Sequence, residues 1–151
     1  MKKLSKNDRF SIYGNLKIQT FSKRTEENIC IAFEKKRICI LGDYLYDFLD
    51  REYKKLNYDW MDKNKKLVTT KVVVDNEILD SNSLVNITGY VKDKRGIPWE
   101  DGKKYSFKIE KIQLRDLFKE LYNLYDDYIC DFDTIKEGLI IRIESIEFVS
   151  I

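Results

Sequence analysis

Apolar and polar residues alternate from Phe10 to Gln19. Phe10, Ile12, Gly14, Leu16 and Ile18 take one set of positions, and Ser11, Tyr13, Asn15, Lys17 and Gln19 the other. A period of two puts each set on its own face, so the segment predicts a strand with one buried side. Ile29, Ile31 and Phe33, followed by Ile38 and Ile40, predict a hairpin about Glu34–Arg37. The period then lengthens. Tyr44, Leu45, Phe48, Leu49, Tyr53 and Leu56 share one face of a helix over residues 43–56, with Asp43 as its N-cap and Asp47/Arg51 and Asp50/Lys54 as i,i+4 pairs. Lys63–Lys66 reads as a basic linker, and the β-branched run Val68–Val74 as a strand covered on both faces.

A turn at Asp80–Ser83 leads into the stretch that organises the rest, residues 83–112. Val85, Ile87, Gly89 and Val91 alternate with Asn86, Thr88, Tyr90 and Lys92, and Tyr105, Phe107 and Ile109 alternate with Ser106, Lys108 and Glu110. These predict two strands joined by the loop Asp93–Lys104, which is too long for a two-residue hairpin. The loop holds the single proline, Pro98, the turn pair Asp101-Gly102 and Trp99 among basic residues. Leu114, Leu117, Phe118, Leu121, Leu124, Tyr125 and Tyr128 predict a second helix over 113–129. Leu139–Ile151 predicts a long final strand whose alternation changes phase near Ser145, as a bulge would produce. The fold class is therefore α+β, with two amphipathic helices and either a mainly antiparallel sheet or a partly closed β-barrel, in one domain over 1–151.

An internal echo accompanies this pattern. Phe10–Lys17 aligns with Val85–Lys92, and each is followed about 25 residues later by Leu-x-Asp opening a helix, Leu41-Gly-Asp43 and Leu114-Arg-Asp116. A duplicated strand–strand–helix unit and coincidence both account for it, because only small and aliphatic residues match.

Charged residues make up 36% and aromatics 13% of the chain, too much apolar material for a disordered one. The net charge of +2 excludes tight duplex binding by bulk charge. That charge is uneven, with excess base in the first half and excess acid in the second. Cys30, Cys39 and Cys130 lack metal-ligand spacing and read as small core residues. With no signal peptide and no apolar run near the ~20 residues of a membrane span, the expected location is cytoplasmic.

The absence of histidine excludes Ser-His-Asp and Cys-His sites and every histidine-ligated metal. The six glycines are scattered singly, so no phosphate-binding glycine loop is present. Glu34-Lys35-Lys36 matches half of a metal-dependent nuclease motif but has no acidic partner strand, and a charged turn explains it better. Asp126, Asp127, Asp131 and Asp133 lack the glycine-centred loop of a calcium site and suit an acidic patch facing a protein partner. No enzyme, cofactor or metal is expected.

The 83–112 stretch resembles the strand–long loop–strand hairpin of the OB-fold domain in bacterial and phage single-stranded DNA-binding proteins. The resemblance rests on Val85, Ile87, Gly89 and Val91, then Trp99, Glu100, Asp101 and Gly102, then Tyr105, Ile109, Ile112 and Leu114. It implies an OB-like barrel that binds single-stranded nucleic acid without catalysis. Tyr90 and Trp99 would stack on bases, and Lys92, Lys94, Arg95, Lys103, Lys104 and Lys108 would meet phosphates. The alternative from composition is a phage- or mobile-element-encoded interaction module that inhibits a host defence or replication protein.

Overall fold

The computed structural model describes residues 3–20, 26–56, 63–93, 103–128 and 139–149. Its strands are β1 (Lys3–Ser5), β2 (Arg9–Thr20), β3 (Glu26–Arg37), β4 (Lys63–Val74), β5 (Glu77–Leu79), β6 (Leu84–Asp93), β7 (Lys103–Gln113) and β8 (Leu139–Phe148). Its helices are α1 (Leu41–Leu56) and α2 (Leu117–Tyr128), each entered through one 3-10 turn, Ile38–Ile40 and Leu114–Asp116. The strands form two antiparallel four-stranded sheets, ordered β3-β2-β4-β5 and β1-β8-β6-β7, and no closed barrel among the described residues. The α+β class and the mainly antiparallel sheet hold.

The chain is two copies of one unit, long strand, long strand, 3-10 turn, helix, long strand. The first runs from β2 to β4 and the second from β6 to β8, with central strands β2 and β6. The equivalence extends to single atoms. Asp8 N–H donates to the Ser5 carbonyl, Ile38 N–H to Asp8 and Cys39 N–H to Lys6. Ser83, Leu114 and Arg115 donate in the same way to Asp80, Ser83 and Ser81. Register breaks fall between Phe10 and Ile12 and between Val85 and Ile87, and again at Tyr13/Gly14 and Thr88/Gly89. Opposite the first of these, Lys35 and Lys111 sit at φ 52° and 53°. Their amides donate to Ser11 Oγ at 3.0 Å and Asn86 Oδ1 at 2.9 Å. Coincidence does not repeat a bulge, a left-handed residue and the side chain that satisfies it, so the likeness of Phe10–Lys17 to Val85–Lys92 is a structural duplication. The Leu-x-Asp match is not part of it, because Leu114–Asp116 corresponds to Ile38–Ile40 and not to Leu41–Asp43.

The two units exchange parts. β1, which leads into the first unit, pairs with β8 of the second, while β5, which leads into the second, pairs with β4 of the first. α1 packs against β8 and α2 against β4. One buried cluster therefore draws on both units, from Ile12, Leu16, Leu45 and Val72 to Ile87, Phe118, Leu121 and Ile146. Each large apolar side chain so buried contributes roughly 1.5–3 kcal/mol, and neither unit closes its half of the core alone. Gly14 and Gly89 are places where neighbouring strands and rings leave no room for a Cβ. A Cβ on Gly14 would lie 2.3 Å from the Val68 carbonyl oxygen, and one on Gly89 would lie 2.1 Å from that of Arg142.

Several expectations need correction. β3 runs unbroken to Arg37, so there is no hairpin about Glu34–Arg37; Ile38 and Ile40 belong to the 3-10 turn. Lys63–Lys66 is not a linker but the start of β4, paired with Lys17–Thr20 of β2. Along β4 the burial alternates, with Leu67, Thr69, Val72 and Val74 inside and Thr70 and Lys71 exposed, so only one face is covered. Asp43 lies in the first turn of α1, not at its N-cap, and bonds Arg142 at 2.8 Å. Cys30 is exposed and Cys39 half-buried; Cys130 lies outside the described residues. The predicted change of phase near Ser145 is present, as the register break of β8 between Ile143 and Ser145. No helix among the described residues is long and apolar enough to cross a membrane.

Candidate nucleic-acid interface

The hairpin read from residues 83–112 forms as β6 and β7, with Val91 opposite Tyr105, Gly89 opposite Phe107 and Ile87 opposite Ile109. Ile87, Gly89 and Val91 are buried and Phe107 and Ile109 half-buried, so this face is turned to the core, which ends at the exposed Tyr105. The intervening pairs face outward: Lys92 opposite Lys104, Tyr90 opposite Ser106 and Thr88 opposite Lys108. Four of the residues expected at the site, Tyr90, Lys92, Lys104 and Lys108, therefore share one sheet face. The alternation alone dictates this, because each differs from its neighbour on the list by an even step along its own strand.

The Lys104 ammonium lies 4.0 Å from the centroid of the Tyr90 ring. Lys108 pairs with Glu110 at 3.2 Å, both side chains more than half exposed, so this ion pair is worth little. On the far side of Tyr90 the ladder continues to Arg142 of β8, whose guanidinium holds Asp43 at 2.8 Å. Thr88 and Ser145 share a hydrogen bond of 2.6 Å on the same face.

The remaining expected residues fall elsewhere. Lys94, Arg95 and Trp99 lie outside the described residues, as does the side chain of Lys103, whose backbone pairs with Asp93 at the start of β7. Asp131 and Asp133 of the acidic segment are also outside; Asp126 and Asp127 belong to α2, but their side chains are not among those described. Among the described residues no three of Cys, Asp and Glu gather as a metal site. Glu34 accepts a bond from the Tyr13 hydroxyl at 3.3 Å, as a residue of the sheet surface.

Sequence reasoning missed the counterpart of this face on the other sheet. There Tyr13 lies opposite Lys71 and Lys17 opposite Lys66, and the Lys71 ammonium stands 4.8 Å from the Tyr13 centroid. The signal was available: Lys17 aligns with Lys92 in the internal echo. No family model, no curated protein and no solved structure matches the chain.

Proposed function

We propose that the chain is a non-enzymatic module that binds single-stranded nucleic acid on the outward face of β6 and β7. One observation carries this reading: Lys92 stands directly opposite Lys104, beside an aromatic ring that Lys104 covers. Like charges facing each other across a ladder cost roughly 0.2–1 kcal/mol. Packing does not require that arrangement, since both side chains point away from the core. A phosphate chain laid along the hairpin converts the repulsion into attraction and releases counterions. With the ammonium drawn to a phosphate, the Tyr90 ring is open to a base, and such stacking contributes about 1–3 kcal/mol. Lys108 extends the track along β7, and Lys94, Arg95, Trp99 and Lys103, which follow β6 in the sequence, are the further contacts of this reading. The mode is OB-like, a sheet face that carries bases and phosphates, and does not depend on a closed barrel.

Anisotropy of labelled oligo-dT tests the reading. Binding at low salt should weaken linearly in log salt, and Lys92→Ala and Lys104→Ala should each flatten the slope by about 0.7. Tyr90→Ala and Trp99→Ala should weaken binding at every salt concentration with the slope kept. No binding at low salt, or binding indifferent to both Tyr90→Ala and Lys104→Ala, ends the proposal.

A further inference from the structure

A cavity of about 280 Å³ lies where the units meet, between β4 and α2. Lys65, Lys66, Leu67 and Val68 line it from the strand, Lys119, Tyr122 and Asn123 from the helix, and Asp116 is the one carboxylate among its described lining residues. The Lys65 ammonium sits 4.7 Å from the Tyr122 centroid. A second cavity of about 210 Å³ shares Lys65 and Lys66 and adds Lys17, Ile18, Gln19 and Glu26.

The duplication supplies an internal control. The other junction, between β8 and α1, puts Ile140 where β4 has Lys66, Arg142 where it has Val68, and Asp43 where α2 has Lys119. There Arg142 and Asp43 pair at 2.8 Å, and Asp47 stands where α2 has Asn123. One backbone arrangement thus accommodates Ile140 and Asp43 at one junction and Lys66 and Lys119 at the other. The fold does not demand the second; a ligand would.

We propose that the β4–α2 junction binds a phosphoryl group, with Lys66 and Lys119 as the main cationic contacts and Asn123 as a neutral donor. Several lysines around one small cavity suit a multiply charged anion approached by point charges, whereas a carboxylate favours the planar fork of arginine. The site is separate from the β6–β7 face and does not rest on the reading of that face. Its phosphoryl oxygens can belong to a small phosphorylated molecule or to a strand's phosphodiester.

Amide chemical shifts of the labelled full chain, titrated at low salt with pyrophosphate and separately with oligo-dT, test it. Saturable shifts at Lys66, Val68, Lys119 and Asn123 are expected with at least one of the two. Pyrophosphate alone identifies a small ligand, and oligo-dT alone identifies a strand. Lys119→Asp and Lys66→Ile install the residues of the other junction, and the spectrum reports whether each folds. Each should weaken binding by roughly tenfold, the loss of one charge-assisted contact. Lys104→Ala should leave the pyrophosphate titration unchanged, which separates this site from the hairpin face. No saturable shift with either ligand, or wild-type affinity in a folded Lys119→Asp or Lys66→Ile variant, overturns the proposal.

Discussion

Thr69 links the two units through one hydrogen bond. It is 1% exposed in β4, and its Oγ1 accepts the amide N–H of Phe118 at 3.2 Å. Phe118 is the second residue of α2, and the first four amides of a helix have no partner within it. The ring attached to that amide is fully buried, so water is excluded from the neighbourhood. Thr69→Val keeps the shape of the side chain and removes the acceptor. A buried amide left unpaired costs about 1–3 kcal/mol, offset by about 0.8 kcal/mol for the added apolar group. The net loss is thus about 0.2–2 kcal/mol, or up to roughly 8 °C in melting temperature for a chain of this length. Urea unfolding followed by circular dichroism should show a lower midpoint with an unchanged slope. Hydrogen exchange at the Phe118 amide should accelerate by more than the global change. Thr69→Ser, which retains the hydroxyl, should protect that amide. A Thr69→Val variant as stable as wild type, with Phe118 still protected, would refute the argument that α2 is capped from the first unit. The corresponding residue of β8 is Ile143, which has no hydroxyl, so α1 has no symmetric counterpart of this cap.

Further outcomes follow from the same geometry. Gly89→Ala should cost roughly 2–3 kcal/mol by thermal unfolding, because its Cβ meets the Arg142 carbonyl at 2.1 Å and the Phe107 ring at 2.6 Å; a neutral result would show that the strands are not so close. Lys35→Gly and Lys111→Gly relieve left-handed residues at φ 52° and 53°. They should raise stability by up to ~1 kcal/mol once chain entropy is subtracted, and a clear loss at both would contradict the assigned backbone. The half-exposed Asp43–Arg142 pair should show a coupling below about 1 kcal/mol in a double-mutant cycle, shrinking in high salt.

Much of the fold was legible because its signals are local. The core faces of β2, β6 and β7 follow from alternation, and those of α1 and α2 from the helical repeat, since the burying face is set by backbone period whatever lies opposite. Local pattern failed where two structures share it. Ile38 and Ile40 are spaced as in a strand, and only the bonds from Ile38 to Asp8 and from Cys39 to Lys6 bend the chain into a turn. Lys63–Lys66 looked like a linker because its side chains are polar, yet a ladder is built from backbone groups, and β2 supplies the partners. Asp75-Asn76, a two-residue turn at φ 50° and 67°, was passed over although both residue types tolerate the left-handed region; with it went β5.

The sequence by itself determined the two helices, the central strands and the shared outward face of Tyr90, Lys92, Lys104 and Lys108, because neighbours along one chain dictate periodicity. Tertiary structure alone decided that the echo is a duplication, since the likeness resides in bulges, dihedrals and amide bonds that divergent side chains conceal. It also decided which unit covers which. The exchange of β1, β5 and the helices, and the gathering of Lys65, Lys66 and Lys119 at one junction, join residues far apart in the chain. Burial of a common core brings such residues together, and no local pattern encodes it.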